Sequence, residues 1–191
     1  MVGFGKSIWT VTIDGARILL GAHIDDFVIA CANQQVLDGF CARLLDAFDG
    51  TFEEALQHYL RCEVTRDMDK GTTYLFQAHY AEELLRTCNF WNATPGLTPM
   101  QPNTRLNKDD CDKNPAPDFH RHYRGIVSSL GYLVTLIRPD LAGAYSELSK
   151  YVQFPGENHM LDAGHVLCYL RGTWNQTIRY FCDSHENPNV L

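Results

Sequence analysis

A chain of 191 residues, 45% apolar and 20% charged, can bury a core and fits one domain or two small ones. No apolar run reaches the roughly 18 residues a membrane span needs. The longest, Ile18 to Ala32, is broken by Asp25 and Asp26. The net charge of −7 argues against strong autonomous nucleic-acid binding, because neutralising phosphates with basic groups supplies most of that affinity. The opening Met-Val-Gly-Phe-Gly-Lys lacks the apolar core of a signal peptide, so an intracellular protein is expected. Seven scattered cysteines without a CxxC pair suggest neither a disulfide framework nor a zinc ribbon.

In chain order, Ile8 to Ile13, Asp14-Gly15 and Arg17 to Ala22 read as a hairpin, with Asp-Gly favouring a type I′ turn. A second turn at Ile24-Asp25-Asp26 leads into the β-prone run Phe27 to Ala30. Val36 to Phe48 carries apolar residues at helical spacing. Tyr59 to Thr65 and Thr72 to Gln77 form a second hairpin around Asp69-Lys70-Gly71, and Ala78 to Phe90 is again helical. Asn92 to Pro117, with five prolines and little periodicity, reads as a linker. Three helices are expected beyond it. The first runs from an Asp118 cap to about Ile137, and the second starts at Pro139. The third runs from about Asn158 to Leu170, stopping at Gly172. A strand, Thr177 to Phe181, closes the globular part. Cys168, in an apolar stretch, reads as core.

Asp25-Asp26 sits at the bend between two apolar β-prone runs. Adjacent carboxylates at a tight turn suit a divalent cation, since Mg²⁺ prefers carboxylate oxygens and substrate phosphates, and two such ions can serve phosphoryl transfer. An exposed acidic turn is the plainer reading of the dipeptide alone. Side chains alternate on a strand, so the two share a face only through turn geometry.

The order of short motifs adds to this. Leu19-Leu20-Gly21-Ala22-His23-Ile24-Asp25-Asp26-Phe27-Val28 is similar to a Tyr-Val-Asp-Asp loop, and Tyr59-Leu60-Arg61-Cys62-Glu63-Val64 to a Phe-Leu-Gly-Ile-Glu-Ile strand. Gln77, Tyr80 and Leu84-Leu85 follow, then Leu97-Thr98-Pro99-Met100. Tyr123-Arg124-Gly125-Ile126-Val127-Ser128-Ser129-Leu130-Gly131-Tyr132-Leu133 resembles Tyr-Arg-x-Leu-Val-Gly-Ser-Leu-x-Tyr-Leu. Arg138-Pro139-Asp140-Leu141, Leu148-Ser149-Lys150, Pro155, His159, Ala163 and Tyr169-Leu170-Arg171-Gly172-Thr173 complete the series. From Gly3-Phe4 to about Tyr180, the chain resembles the C-terminal half of copia-type retrotransposon reverse transcriptases.

The resemblance implies an α+β fold in four stretches. Residues 1–91 would form a palm remnant, a small antiparallel sheet with helices, joined by linker 92–117 to a thumb-like three-helix bundle with closing strand at 118–182; 183–191 would be a tail. It implies Asp25 and Asp26 as catalytic and Mg²⁺-binding carboxylates. It also implies Tyr59, Leu60 and Arg61 in a primer-grip-like hairpin, and Ser128 with Tyr132 on a helix tracking a template–primer duplex. Ser128 and Tyr132, four apart, share one helical face; for Tyr132, core packing is an equal reading. Arg61 and Ser128 stand where the family has Gly, and Cys168 where it has Arg. The family's third metal-binding Asp and its fingers would lie N-terminal to Met1, and the chain stops before an RNase H domain. An RNA-directed DNA polymerase fragment, inactive alone, is one expectation. The other is a domesticated, non-enzymatic scaffold that binds protein partners through its N-terminal strands, with Trp9, Ile18 and Leu20 exposed. Among other polar residues, Arg138 before Pro139 is expected to cap or brace the interhelical corner. His120 and His122 should be solvated, and the six-residue spacing of His159 and His165 excludes a shared helical face for a metal.

Overall fold

A computed structural model of the chain describes residues 2–3, 7–53, 55–101 and 106–181; Cys182 and the expected tail lie outside them. The fold is α+β, as expected. A first sheet has the order β1 (Val2–Gly3), β2 (Ile8–Ile13), β3 (Ala16–His23), β4 (Asp26–Cys31), followed by helix α1 (Gln34–Ala47). A second sheet has the order β5 (His58–Tyr59), β6 (Cys62–Asp67), β7 (Thr72–Phe76), β8 (Thr177–Phe181). Between β7 and β8 come α2 (Ala78–Thr87), α3 (Pro117–Leu136), α4 (Ala142–Ser149) and α5 (Glu157–Thr173).

The chain forms two compact units: Met1–Leu60 with Phe181–Leu191, and Arg61–Tyr180. This differs from the expected division at the 92–117 stretch. The reason is that Ala81, Leu84 and Leu85 of α2 are buried in one cluster with Tyr123, Leu130, Leu148, Val166 and Leu167, so the second hairpin and α2 belong with the helices.

In the first unit the β2–β3 turn is of type I′, with Asp14 and Gly15 both at positive φ (49° and 80°). Trp9 pairs with Leu20, Val11 with Ile18, and Ile29 with Leu20, which puts these side chains on one sheet face. Ile18 is fully buried and Leu20 nearly so, each burial contributing about 2 kcal/mol. Trp9 is half-buried, so of the three residues expected to be exposed, two are not. Helix α1 is capped by the Asn33 side chain, which accepts from the Val36 N–H at 3.3 Å.

In the second unit Asp67 fixes the β6–β7 turn by accepting from the Lys70 backbone N–H (3.1 Å) and ammonium (2.8 Å). Those bonds hold its carboxyl below its ordinary range. Helix α2 ends at Thr87 rather than Phe90 because Asn89 turns left-handed (φ 62°). The Phe90 N–H then reaches the Leu85 carbonyl (2.7 Å) and the Asn89 N–H that of Arg86 (3.0 Å), a Schellman closure. Helix α3 is not capped by Asp118: Ala116 holds the cap position and Pro117 the first turn. Asp118 sits inside that turn, paired with Arg121 at 2.8 Å. Pro139 opens a short 3-10 turn, Pro139–Leu141, before α4.

Helix α5 runs through Gly172 to Thr173. Gly172 is there for close approach, since a Cβ would stand 3.0 Å from the Pro95 side chain, while the Gly96 N–H donates to the Cys168 carbonyl (2.9 Å). Cys168 is accordingly half-buried beside that chain rather than in the core. Within the 92–117 stretch, the described residues around Pro95-Gly96 and 106–112 are thus packed as a strap against α5. Trp91, at its start, lies 4.5 Å and 4.6 Å from the guanidinium carbons of Arg86 and Arg171 and packs edge-on against Trp174. The Arg171 Nε also donates to the Trp91 carbonyl. His120 is half-buried, its Nε2 2.8 Å from the Val152 carbonyl, contrary to the solvated position expected; His122 is exposed.

Candidate nucleic-acid interface

Asp25 and Asp26 stand at the tip of the β3–β4 hairpin. His23 pairs with Asp26, so Ile24 and Asp25 form a two-residue turn. Ile24 has φ 57° and is 89% exposed. A β-branched residue in the left-handed region is strained, costing about 1–3 kcal/mol, and strain of this kind clusters at functional sites. Both carboxylates are exposed. Among the described residues no group of three or more His, Cys, Asp or Glu could hold a metal ion. Two carboxylates without a third ligand do not by themselves fit a two-ion Mg²⁺ centre.

Leu60 and Arg61, the two residues between β5 and β6, have φ 51° and 57°. Two successive left-handed positions favour Asn-Gly, not Leu-Arg. Tyr59 is half-buried and Arg61 exposed. On α3, Ser128 is exposed and Tyr132 half-buried. The Tyr132 ring packs on Tyr80 of α2, centroids 4.9 Å apart and planes tilted by 59°. Burial pushes the Tyr132 phenol up, Cys62 and Tyr80 add to this, and the Arg61 guanidinium pulls the other way. Arg61, widely separated in sequence from Tyr132, is therefore within electrostatic reach of its phenol. Tyr80, not expected as a site residue, is the member the sequence did not reveal; its helix periodicity gave only an inner or outer face. A shallow cleft of about 430 Å³ lies between α2 and α3, lined by Leu84, Cys88, His122 and Ile126 among others. Its charged residues Asp118 and Arg121 are paired with each other, and burial pushes the Cys88 thiol up, so it holds no activated nucleophile.

The charge is unevenly shared. Residues 61–180 hold thirteen Lys/Arg and thirteen Asp/Glu, so the whole net charge of −7 belongs to the first unit. Arg61 and Tyr132 lie in the neutral one.

Two curated relatives are the retrovirus-related Pol polyproteins from transposons RE1 and RE2 of Arabidopsis thaliana. RE1 is 33% identical over 82% of this chain and 10% of its own length; RE2 is 34% identical over 90% and 12%. The chain is homologous to one stretch of retrotransposon Pol polyproteins. It spans about a tenth of the length of those relatives. An uncharacterized mitochondrial protein of the same plant is 24% identical over 85% of this chain and 69% of its own length. No protein-family model and no solved structure matches the chain.

Proposed function

We propose that this chain is a segment of an RNA-directed DNA polymerase of copia type, or a domesticated derivative of one, whose second unit contacts a template–primer duplex. The single observation behind this reading is that the Tyr132 ring, packed on Tyr80, lies within electrostatic reach of the Arg61 guanidinium. Arg61 and Tyr132 are candidates by resemblance, from motifs about seventy residues apart, and both belong to one neutral unit. A guanidinium suits a phosphate, and the aromatic, one helical turn from exposed Ser128, suits the sugar edge of a minor groove. Against it stands the acidic first unit, so affinity should be weak and salt-sensitive.

The test is a titration of the chain with an RNA–DNA hybrid at two salt concentrations. Arg61→Gln should weaken binding and reduce the salt slope by about one. Tyr132→Ala should weaken it without changing that slope. Equal binding by both variants removes the reading. Asp25 and Asp26 are the catalytic and Mg²⁺-binding candidates within this reading, but the chain alone should not extend a primer. Mg²⁺-dependent nucleotide incorporation that Asp25→Asn abolishes would contradict that. The alternative function, a non-enzymatic scaffold, is favoured by the concentration of negative charge in the unit with the Asp25-Asp26 turn.

A further inference from the structure

The half-buried Trp91 indole holds a guanidinium from the last turn of each of two helices. The Arg86 carbon, from α2, is 4.5 Å from the ring centroid, and the Arg171 carbon, from α5, is 4.6 Å from it. The two cations are therefore within about 9 Å of each other. That is close to one Debye length in physiological salt, so their repulsion is only partly screened.

An arginine in a last turn ordinarily serves the terminal carbonyls of its helix. Those carbonyls are already taken. In α2 the Leu84, Leu85 and Arg86 carbonyls accept from the backbone N–H groups of Cys88, Phe90 and Asn89. In α5 the Cys168 carbonyl accepts from the Gly96 N–H, that of Tyr169 from the Thr173 hydroxyl, and that of Thr173 from Arg138. Nor are the two cations neutralised. Arg86 donates from Nε and Nη2 to one Glu82 oxygen, at 2.8 and 2.7 Å, and Nη1 is left over. Arg171 donates from Nε to the Trp91 carbonyl. Among the described residues its two terminal nitrogens have no acceptor and no carboxylate pairs with it.

We propose that Arg171 and Arg86, held against Trp91, form a phosphate-binding site. The Arg171 Nη1 and Nη2 groups are its main donors and Arg86 Nη1 is the second. Two guanidiniums and Glu82 leave one positive charge, which a phosphodiester cancels. A carboxylate is matched by a single guanidinium fork, whereas a phosphate has oxygens enough for both. The ring contacts, with Trp174 edge-on to Trp91 at 5.4 Å, hold the donors in place, so little side-chain freedom is lost on binding. The unit that carries the site has no net charge to oppose an anion. The site uses neither Arg61 nor Tyr132 and does not depend on the duplex-binding reading.

Trp91 touches both cations, so tryptophan fluorescence of the full 191-residue chain reports the site. The experiment titrates inorganic phosphate at constant ionic strength, with acetate as the comparison anion. Wild type should give a saturable change with a dissociation constant on the order of 1 mM. Arg171→Gln and Arg86→Gln should each weaken it about tenfold, the loss of a hydrogen bond to a charged group. Arg171→Lys, which keeps the charge and loses the fork, should recover little. Arg66→Gln, which removes an exposed cation of the same unit, should change nothing. If Arg171→Gln fails to fold, Arg86→Gln, whose side chain is exposed, decides alone. A deoxythymidine oligonucleotide then separates the sources of the phosphate. Tighter binding per phosphate than the inorganic ion points to a polynucleotide backbone, and equal binding to a free phosphate. The proposal is overturned by a signal that does not saturate, by an equal response to acetate, by wild-type binding in either folded glutamine variant at Arg171 or Arg86, or by an equal loss in Arg66→Gln.

Discussion

Replacing Arg138 by alanine should lower the stability of the chain by about 3 kcal/mol, the scale expected when one partner of a buried ion pair is removed. Arg138 is 3% exposed, as the expected interhelical brace. Its Nε and Nη2 donate to the two Asp140 oxygens at 2.9 and 2.7 Å, and its Nη1 and Nη2 donate to the Thr173 carbonyl and hydroxyl at 2.9 and 2.7 Å. One guanidinium thus ties the end of α3 to the last turn of α5. The Tyr169 hydroxyl donates to Asp140 from the same side, at 3.1 Å. Lysine cannot reproduce the fork, so Arg138→Lys should recover less than half of the loss. Urea unfolding checks both, with a shift of midpoint at unchanged slope.

The same network fixes a sign for pH. Burial pushes the Asp140 carboxyl up, but the hydrogen bond and charge of Arg138, with the Tyr169 hydroxyl, outweigh it and leave the group below its ordinary range. Its contribution is therefore complete above the unfolded carboxylate range, about pH 4, and is lost as pH falls through the lower folded value. Asp162 has the opposite sign. Burial raises its carboxyl against the pull of His165 and His159, so its contribution is present at low pH and lost as pH rises. In Arg138→Ala the acid-side loss from Asp140 should shrink; an unchanged acid limb would contradict this role.

The elements with local signals were legible in the sequence, and those set by tertiary contact were not. Asp14-Gly15 announced its own turn because only residues tolerant of positive φ fit there. The Leu60-Arg61 turn has the same backbone without the matching residues, so its geometry came only from the structure. Helix ends were misplaced where a glycine or asparagine had a different task. Asn89 ended α2 early, while Gly172, which looks like a stop, lies in the last turn of α5 and lets Pro95 approach. The strap looked like a linker because its described contacts with α5 come from isolated points, the Pro95 ring, the Gly96 and Asn107 backbone and the Asp110 carboxylate, which leave no periodicity. The candidate residues on α3 could be placed on a face from spacing alone. That Arg61 comes to stand near Tyr132, and that Tyr80 supports the ring, required the packing of α2, α3 and the β5–β6 turn.

Gly156→Ala should destabilise the chain by about 3 kcal/mol, at the upper end for overpacking, because the added methyl meets backbone rather than a flexible side chain. A Cβ on Gly156 would run into the Asp110 carbonyl oxygen, with the Asp112 backbone nitrogen close behind. Relief requires moving the strap, and the strap is held at several points. The Gly156 N–H donates to His159 Nδ1 at 3.0 Å, which leaves the proton on Nε2 to donate to the Asn107 carbonyl at 3.1 Å. His159 is fully buried and stacked on Tyr151, centroids 4.0 Å apart and planes 15° from parallel. The Tyr151 hydroxyl donates to the Leu106 carbonyl (2.9 Å), and the Asn158 amide to Asp110 Oδ1 (2.9 Å). Pushing Asp110 away therefore strains the three strap contacts at once, and loss of the Asn107 contact would leave the buried imidazole Nε2 unsatisfied. Hydrogen exchange should locate the damage at residues 106–112 and the first turn of α5, with α2 and α3 protected as before. A variant within about 0.5 kcal/mol of wild type, the range of an ordinary surface change, would mean the strap is free to move and is no part of the packed unit.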